Sequence, residues 1–358
     1  MPDLVRIDGS EGEGGGQMLR TALALSMVTG RPFEIANVRA GRQKPGLRPQ
    51  HLACVKAAAK VSAADVAGAA LGSRHLRFTP GPVRPGTYDF EIKTAGSTSL
   101  VLHTLYLPLA LAASRSVVMI TGGTHVPFSP SFHYLLHQWA PLMRRIGMDV
   151  ELTLTRAGYY PEGGGEIRAK ILPCPALRPL TLGPRGKLER LEGISAVSGL
   201  PRSIAERQRN RALARLGEAG LAAGIEVREV PSPGKGTCLL LLSTYEGGGR
   251  ACHDALGALG KRAEKVADEA CDGLLTFLGT PGAVDAHAAD QLLLPLALAA
   301  GESRLPVPSV TSHLATNARV IQRFVPATIQ IEGAEGAAGV VTVQPAPPGA
   351  LAHATTAT

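Results

Sequence analysis

The stretch TAGSTSLVLHTLYLPLALAAS, Thr94–Ser114, decides how the chain is read, because the sequence spells it three times in altered form. It opens on a small-residue loop, carries leucines and small residues at helical spacing, and gives way to a β-branched run, VVMITGG (Val117–Gly123). A second helical run, SPSFHYLLHQWAPLMRRIG (Ser129–Gly147), and the strand-like DVELTLT (Asp149–Thr155) and GGGEIRAKI (Gly163–Ile171) follow. Upstream the same order appears as GGGQMLRTALALSMVTG (Gly14–Gly30), FEIANV, PQHLACVKAAAKV, ADVAG and RHLRFTP. Downstream it returns as DAHAADQLLLPLALAAGES (Asp285–Ser303), RLPVPSV, SHLATNARVIQRFV and ATIQIEG. Self-similarity at this scale predicts one supersecondary unit, βαβαββ, used three times in an α/β (α+β) fold.

The first two copies are nearly contiguous, but roughly 100 residues separate the second from the third, more than a connection needs. That segment has its own strand and helix patterns: LERLEGISAVSG, IAERQRNRALARLGEAG, TCLLLLSTYE and KRAEKVADEACDGLLTFL. The expected organisation is therefore a large domain of residues 1–182 and 278–343, a smaller α/β domain inserted at 183–277, and a disordered tail of Ala, Pro, Thr and Gly at 344–358.

Lysine and arginine number 37 against 29 acids, a net charge of +8 that suits a polyanionic partner without identifying one. The five cysteines are scattered with no C-x-x-C pair, so the sequence indicates neither a disulfide framework nor a zinc site. Residues 1–20 lack the pattern of a secretory leader. The longest apolar run, Leu105–Ala113, is short of the ~20 residues a spanning helix needs. A soluble, cytoplasmic protein with reduced thiols is expected.

Several residues could do chemistry. Glu13 sits among five glycines in GSEGEGGGQMLRT (Gly9–Thr21), where backbone N–H groups can approach phosphate and a carboxylate can hold a divalent ion; a tight turn packed on a neighbouring repeat accounts for the glycines equally well. Arg39, Arg42, Lys44 and Arg48 crowd the loop before Gln50 and His51, which open a helix and make an anion site plausible on charge and dipole grounds. The arginines of residues 202–215 alternate with acids and read as a solvated helix face. His313 stands at a strand-to-helix junction, with Thr311 and Ser312 as candidate N-caps. A helix N-terminus disfavours imidazolium, so the ring can stay neutral and nucleophilic beside a phosphate; a histidine satisfying loop hydrogen bonds is the simpler reading of that residue alone.

Taken in order, GSEGEGGGQMLRTALALS, RAGRQKPGLRPQHL, TAGSTSLVL, GYYPEGGGE, ADQLLLPLALA and SHLATNARVI resemble the RNA 3'-terminal phosphate cyclases, over about Ile7 to Phe324. The family's fold is three units like the C-terminal domain of translation initiation factor three plus an inserted α/β domain. The resemblance implies an ATP-dependent ligase acting on RNA with a 3'-terminal phosphate. His313 would take AMP from ATP, the adenylate would pass to the RNA phosphate as an RNA(3')pp(5')A end, and the vicinal 2'-OH would close a 2',3'-cyclic phosphate. It also implies Mg²⁺ or Mn²⁺ on Glu13 and nucleotide contacts from Arg20, Arg42, Gln50 and His51. His103 and the segment His287, Ala288, Ala289, Asp290 and Gln291 would hold ATP. In three places the chain departs from the family pattern: His103 replaces an expected glutamine, His287 an expected tyrosine, and His125 closes a GGTH motif where an acid or amide is expected. A non-catalytic relative that binds RNA in ribosome assembly would lack His313, and an enolpyruvyl transferase of similar fold would form no histidine adenylate.

Overall fold

Alternation and helical period resolve, in the computed structural model, into the expected repeats; residues 3–345 and Pro347 are described. The first repeat runs β1 (Val5–Asp8), α1 (Gln17–Thr29), β2 (Phe33–Ala36), α2 (Pro49–Ser62), β3 (Asp65–Ala67) and β4 (Leu76–Thr79). Its sheet has the order β1-β2-β4-β3, parallel between β1 and β2 and antiparallel elsewhere. The second repeats that order with β5 (Thr87–Glu91), α3 (Thr98–Ala110), β6 (Ser116–Gly122), a helical segment, β7 (Val150–Arg156) and β8 (Gly165–Ile171), giving β5-β6-β8-β7. Residues alternate between buried and half-buried along β6, as a strand with one face on the core requires.

The helical segment of the second repeat is broken into α4 (Phe132–Tyr134), a π-helical turn (Leu135–Trp139) and α5 (Ala140–Ile146). The physical reason is Pro141, which has no N–H to give the His137 carbonyl four residues back. That carbonyl accepts instead from the guanidinium of Arg250.

The inserted domain contains β9 (Leu188–Ser198), α6 (Arg202–Glu218), β10 (Gly224–Glu229), β11 (Gly236–Tyr245), β12 (Arg250–Leu256) and α7 (Ala263–Leu278). Its sheet, β10-β9-β11-β12, differs in order from the repeats and packs its own core, including Leu191, Leu239, Leu241 and Leu274, against both helices. Arginines of α6 pair with acids of α7: Arg207 with Glu264 at 2.8 Å, Arg211 with Asp268 at 2.7 Å and Arg215 with Asp272 at 2.9 Å. The face read from sequence as merely solvated is thus charge-paired across the domain.

The third repeat comprises α8 (Ala286–Leu296), β13 (Ser303–Val307), α9 (Ser312–Phe324), β14 (Thr328–Glu332) and β15 (Gly339–Gln344), in the order β13-β15-β14. Its missing first strand lies on the other side of the insertion. Thr181 bridges Arg304 in parallel, Leu182 N–H donates to the Arg304 carbonyl (2.8 Å), and Arg304 N–H donates to the Leu180 carbonyl (3.2 Å). The small domain therefore enters inside the third unit, after its first strand, rather than between units. Gln344 ends β15, paired with Thr328, so the strand runs one residue into the expected tail; the rest of that tail, apart from Pro345 and Pro347, lies outside the described residues. No described helix is long and apolar enough to cross a membrane.

In the body, α1 packs against α2, α3 and α9, and α8 against α9. Of these, α1, α3 and α8 are buried along nearly their whole length, whereas α2 and α9 keep exposed polar faces at Lys56 and Lys60 and at Arg319 and Gln322.

Candidate active site

The exceptions to that burial locate the site. Of the thirteen residues of α3, only His103 is not buried, and in α1 only Gln17 and Arg20 are not. In α8 the residues left out of the core before the last turn are Ala286, His287, Asp290 and Gln291. All of these line one cleft of about 1420 Å³ between the body and the insert, together with Arg42, Gln50, His51 and His313. Polar groups on otherwise apolar helices are costly to place without a use, and here they converge.

His313 opens α9, which Thr311 caps by accepting the Leu314 N–H at 3.1 Å. Its Nδ1–H donates to Gln17 Oε1 at 2.7 Å, and Gln17 Nε2 donates to both carboxylate oxygens of Asp290 at 2.5 Å. Since a carboxylate only accepts, the Gln17 amide must present its oxygen to His313, which fixes the tautomer and leaves the His313 Nε2 lone pair bare. Asn317 Nδ2 donates to the Asp290 carbonyl (3.0 Å), and Thr21 Oγ1 donates to Asn317 Oδ1 (2.7 Å), so α1, α8 and α9 are cross-tied behind the imidazole. Burial holds the His313 pKa below its ordinary value; Asp290 opposes this, while Arg42, His287 and Arg20 add to it. Burial raises the Asp290 pKa, against the hydrogen bond from Gln17 and the charge of His313.

The glycine loop brings Glu13 to the same place. Its N–H donates to Thr316 Oγ1 on α9 at 3.0 Å, and its carboxylate pairs with Arg42 and lies 3.4 Å from His313 Nε2. Gly12 has φ of +61°, and a Cβ there would lie 2.2 Å from Thr316 Oγ1; one at Gly15 would meet the Glu13 carboxylate at 2.3 Å. The loop is thus both a tight turn and a carriage for a buried carboxylate. Beyond the Arg42 pairing, no hydrogen-bond donor is placed for either Glu13 oxygen.

Among the basic-loop residues, Arg39 is used internally, donating to the carbonyls of Lys44 (2.7 Å) and Gly46 (3.1 Å), whereas Arg42 reaches the site. His51 Nδ1 accepts the Arg48 N–H at 3.4 Å, so its Nε2 carries the proton and can donate. Burial, then Arg20, Arg39 and Arg48, push its pKa down to about 2. Gln50 Oε1 accepts the Ser97 N–H at 3.2 Å. At the far side of the cleft, His103 stands 5.4 Å from Trp139 and 6.0 Å from Tyr106, ring to ring. His103 Nε2, Trp139 Nε1 and Gln291 Oε1 are buried there with no partner, an orphaned polar set of the kind a ligand satisfies. Burial, then Arg20, lowers the His103 pKa to about 3.

The structure therefore gathers nine of the residues expected from sequence around one cleft, with Glu13 beside it. Ala288 and Ala289 do not face it: both are buried in the apolar core, 2% and 1% exposed, on the inner side of α8. Gln17, Asn317, Thr316, Tyr106 and Trp139 were not expected. Gln17 had a signal, since it and Arg20 are the two long polar side chains, three apart, in a helix of apolar and small residues; the others are ordinary in sequence.

The sequence model of the family described as RNA 3'-terminal phosphate cyclase matches residues 11–331, nearly the whole repeat array and the insert. The chain belongs to that family. Similar cyclases come from Methylococcus capsulatus, 44% identical over 98% of this chain and 99% of that protein, and Nostoc punctiforme, 43% identical over 93% and 97%. One from Caldivirga maquilingensis is 42% identical over 91% and 94%. Among solved structures, the enolpyruvyl transferase NikO from Streptomyces tendae aligns with 98% of this chain and 50% of that chain, at 12% identity and a TM-score of 0.38. In this cyclase-family chain, the match takes in the glycine loop, the basic loop, α8 and α9, the segments that build the cleft.

Proposed function

We propose that the protein uses ATP to convert an RNA 3'-terminal phosphate into a 2',3'-cyclic phosphate, with His313 as a transient carrier of AMP. The observation that carries this reading is the Asp290–Gln17–His313 chain, which leaves the Nε2 lone pair unprotonated in the cleft, beside the paired Glu13 and Arg42. In the first step the Nε2 lone pair attacks the α-phosphorus, an N–P bond forms, and the bond to pyrophosphate breaks. Gln17 accepts the Nδ1–H and holds the growing positive charge on the ring, with Asp290 behind it. An oxygen of the RNA 3'-phosphate then attacks the same phosphorus, the N–P bond breaks, and neutral imidazole is restored. In the last step the neighbouring 2'-OH attacks the terminal RNA phosphorus, AMP leaves, and the 2'-OH proton passes to solvent or base. A 3'-phosphate has no good leaving group until AMP supplies one, and proximity of the 2'-OH favours closure.

Arg20, Arg42 and the His51 Nε2–H supply donors for phosphate oxygens, and the His287 and His103 rings supply surface against which a base can stack. Gln291 Oε1 is free to accept from an exocyclic amine. The Glu13 carboxylate, buried and short of donors, fits Mg²⁺ or Mn²⁺, which when bound would neutralise phosphate charge. Five unpaired cysteines agree with a reducing, cytoplasmic setting.

Incubation with α-labelled ATP and a divalent ion, followed by denaturing electrophoresis, tests the reading. A label that is acid-labile and alkali-stable, absent in His313→Ala, and discharged by RNA ending in a 3'-phosphate but not a 3'-hydroxyl is the expected result. No label under any metal would sink it, and would leave an RNA-binding relative or an enolpyruvyl transferase to be tested.

A further inference from the structure

Outside the cleft, three side chains from distant parts of the chain meet at the seam between the second repeat and the insert. His125 follows β6, His133 lies in α4 and Cys238 lies in β11. They are 1%, 3% and 1% exposed. Their donor atoms all lie within 4.8 Å of one another, with His125 Nε2 2.7 Å from His133 Nδ1 and Cys238 Sγ 4.0 Å from that same Nδ1. The surroundings hold them in this pose. Thr124 Oγ1 lies 2.8 Å from His125 Nδ1 and also accepts the Gly158 N–H at 2.9 Å, so the Nδ1–H has an acceptor and Nε2 turns inward. The Tyr159 ring stacks on His125 with centroids 5.3 Å apart.

The sulfur distinguishes this cluster from ordinary packing. Cys54, Cys174 and Cys271 each direct their thiol to a backbone carbonyl, of Leu100, Ala176 and Ala212 respectively. Cys238 instead faces an imidazole nitrogen. Two imidazoles and a thiolate are borderline-soft donors that suit Zn²⁺ and not the hard ions that serve phosphates. Bond lengths of about 2.0–2.1 Å to nitrogen and 2.3 Å to sulfur place tetrahedral donor atoms roughly 3.3–3.6 Å apart, and the separations of 2.7 Å between the imidazole nitrogens and 4.0 Å from sulfur to nitrogen each lie within an ångström of that range.

We propose that His125, His133 and Cys238 form a zinc site that ties β11 of the insert to the second repeat and leaves one coordination position to water. Binding displaces the Cys238 thiol proton to solvent, while both imidazoles bind neutral, His125 through Nε2 with its Nδ1–H on Thr124. The two histidines bracket residues 126–130, all of which line the cleft, so the ion would also brace that wall. No zinc spacing is legible because the ligands come from two segments of the body and a strand of the insert.

Full-length protein stripped with a chelator and titrated with Co²⁺ should take up one equivalent. It should show a thiolate-to-cobalt charge-transfer band with tetrahedral visible bands, and Zn²⁺ should displace both while excess Mg²⁺ should not. Cys238→Ser should lose the charge-transfer band, Cys271→Ser should keep it, and Zn²⁺ should raise the melting temperature of the stripped wild type and of Cys271→Ser but not of Cys238→Ser. The wild-type titration decides the matter even if a variant fails to fold. Absence of the band, or its survival in folded Cys238→Ser, overturns the proposal.

Discussion

Gln17 carries no charge and no nucleophile, yet it sets the protonation of the residue that does the proposed chemistry. Replacing it with leucine removes the acceptor for His313 Nδ1–H. We expect adenylate transfer to His313 to fall on the order of 10²-fold, the scale of a misoriented reacting group, with little change in nucleotide affinity. Gln17→Glu tests the electrostatics: a carboxylate beside Nδ1–H favours imidazolium and so raises the His313 pKa. In the wild type that pKa lies below its ordinary 6.5 through burial, so the nucleophilic form persists to lower pH than in a free histidine. A pH series of single-turnover labelling should place the wild-type acid limb below pH 6.5 and move it upward in Gln17→Glu; an unmoved limb would remove Gln17 from this role. His103→Gln restores the residue expected at that position and should alter nucleotide affinity without abolishing labelling.

Elements act here through their ends. The His313 helix begins at a threonine cap, and the hydrogen bond from Leu314 N–H to Thr311 Oγ1 satisfies one of the four free donors of its first turn. Thr311→Ala should cost about 1 kcal/mol in urea unfolding, and Thr311→Ser should recover most of it. The glycine loop acts on the same helix from outside. Alanine at Gly12 needs both a left-handed backbone and space taken by Thr316, so Gly12→Ala should displace Glu13 and weaken the divalent-ion dependence of labelling more than it lowers stability. Sequence showed that these glycines precede a helix; that the loop lands on a helix more than 300 residues later follows from the packing of the first repeat on the third.

For the molecule as a whole, Asp285 joins three parts. Its carboxylate accepts from the Tyr134 hydroxyl (2.8 Å) and Gln138 Nε2 (2.8 Å) of the second repeat, the Cys252 N–H (3.2 Å) of the insert and the Ala288 N–H (2.9 Å) of its own helix. Asp285→Ala strands all four donors in a buried site and should cost about 3–5 kcal/mol, measured as a lowered denaturant midpoint with insert and body probed separately. Buried neutral histidines add a global acid sensitivity. His51 and His103, near 2 and 3 in the fold, stay neutral where an unfolded chain takes up protons below about 6.5. Their contribution is complete above pH 6.5 and is lost as pH falls toward 3, at up to about 1.4 kcal/mol per pH unit for each. Urea midpoints at pH 7 and pH 5 should differ, and His103→Gln should narrow the difference.

Three repeats, their βαβαββ order and an insertion were legible in the letters, because hydrophobic period and glycine punctuation are local properties and the units repeat them. Glu13, Arg42, Gln50, His51 and His313 stood out by their setting at glycine loops and helix starts, while Arg20, His103, His287, Asp290 and Gln291 were reached only through the resemblance to the cyclases. Packing decided what local pattern does not encode: that the insert interrupts the third unit after its first strand, that Ala288 and Ala289 turn to the core, and that Gln17 joins Asp290 to His313. Each of these depends on contacts between residues far apart in sequence, fixed only when the helices of all three repeats bury their apolar faces together.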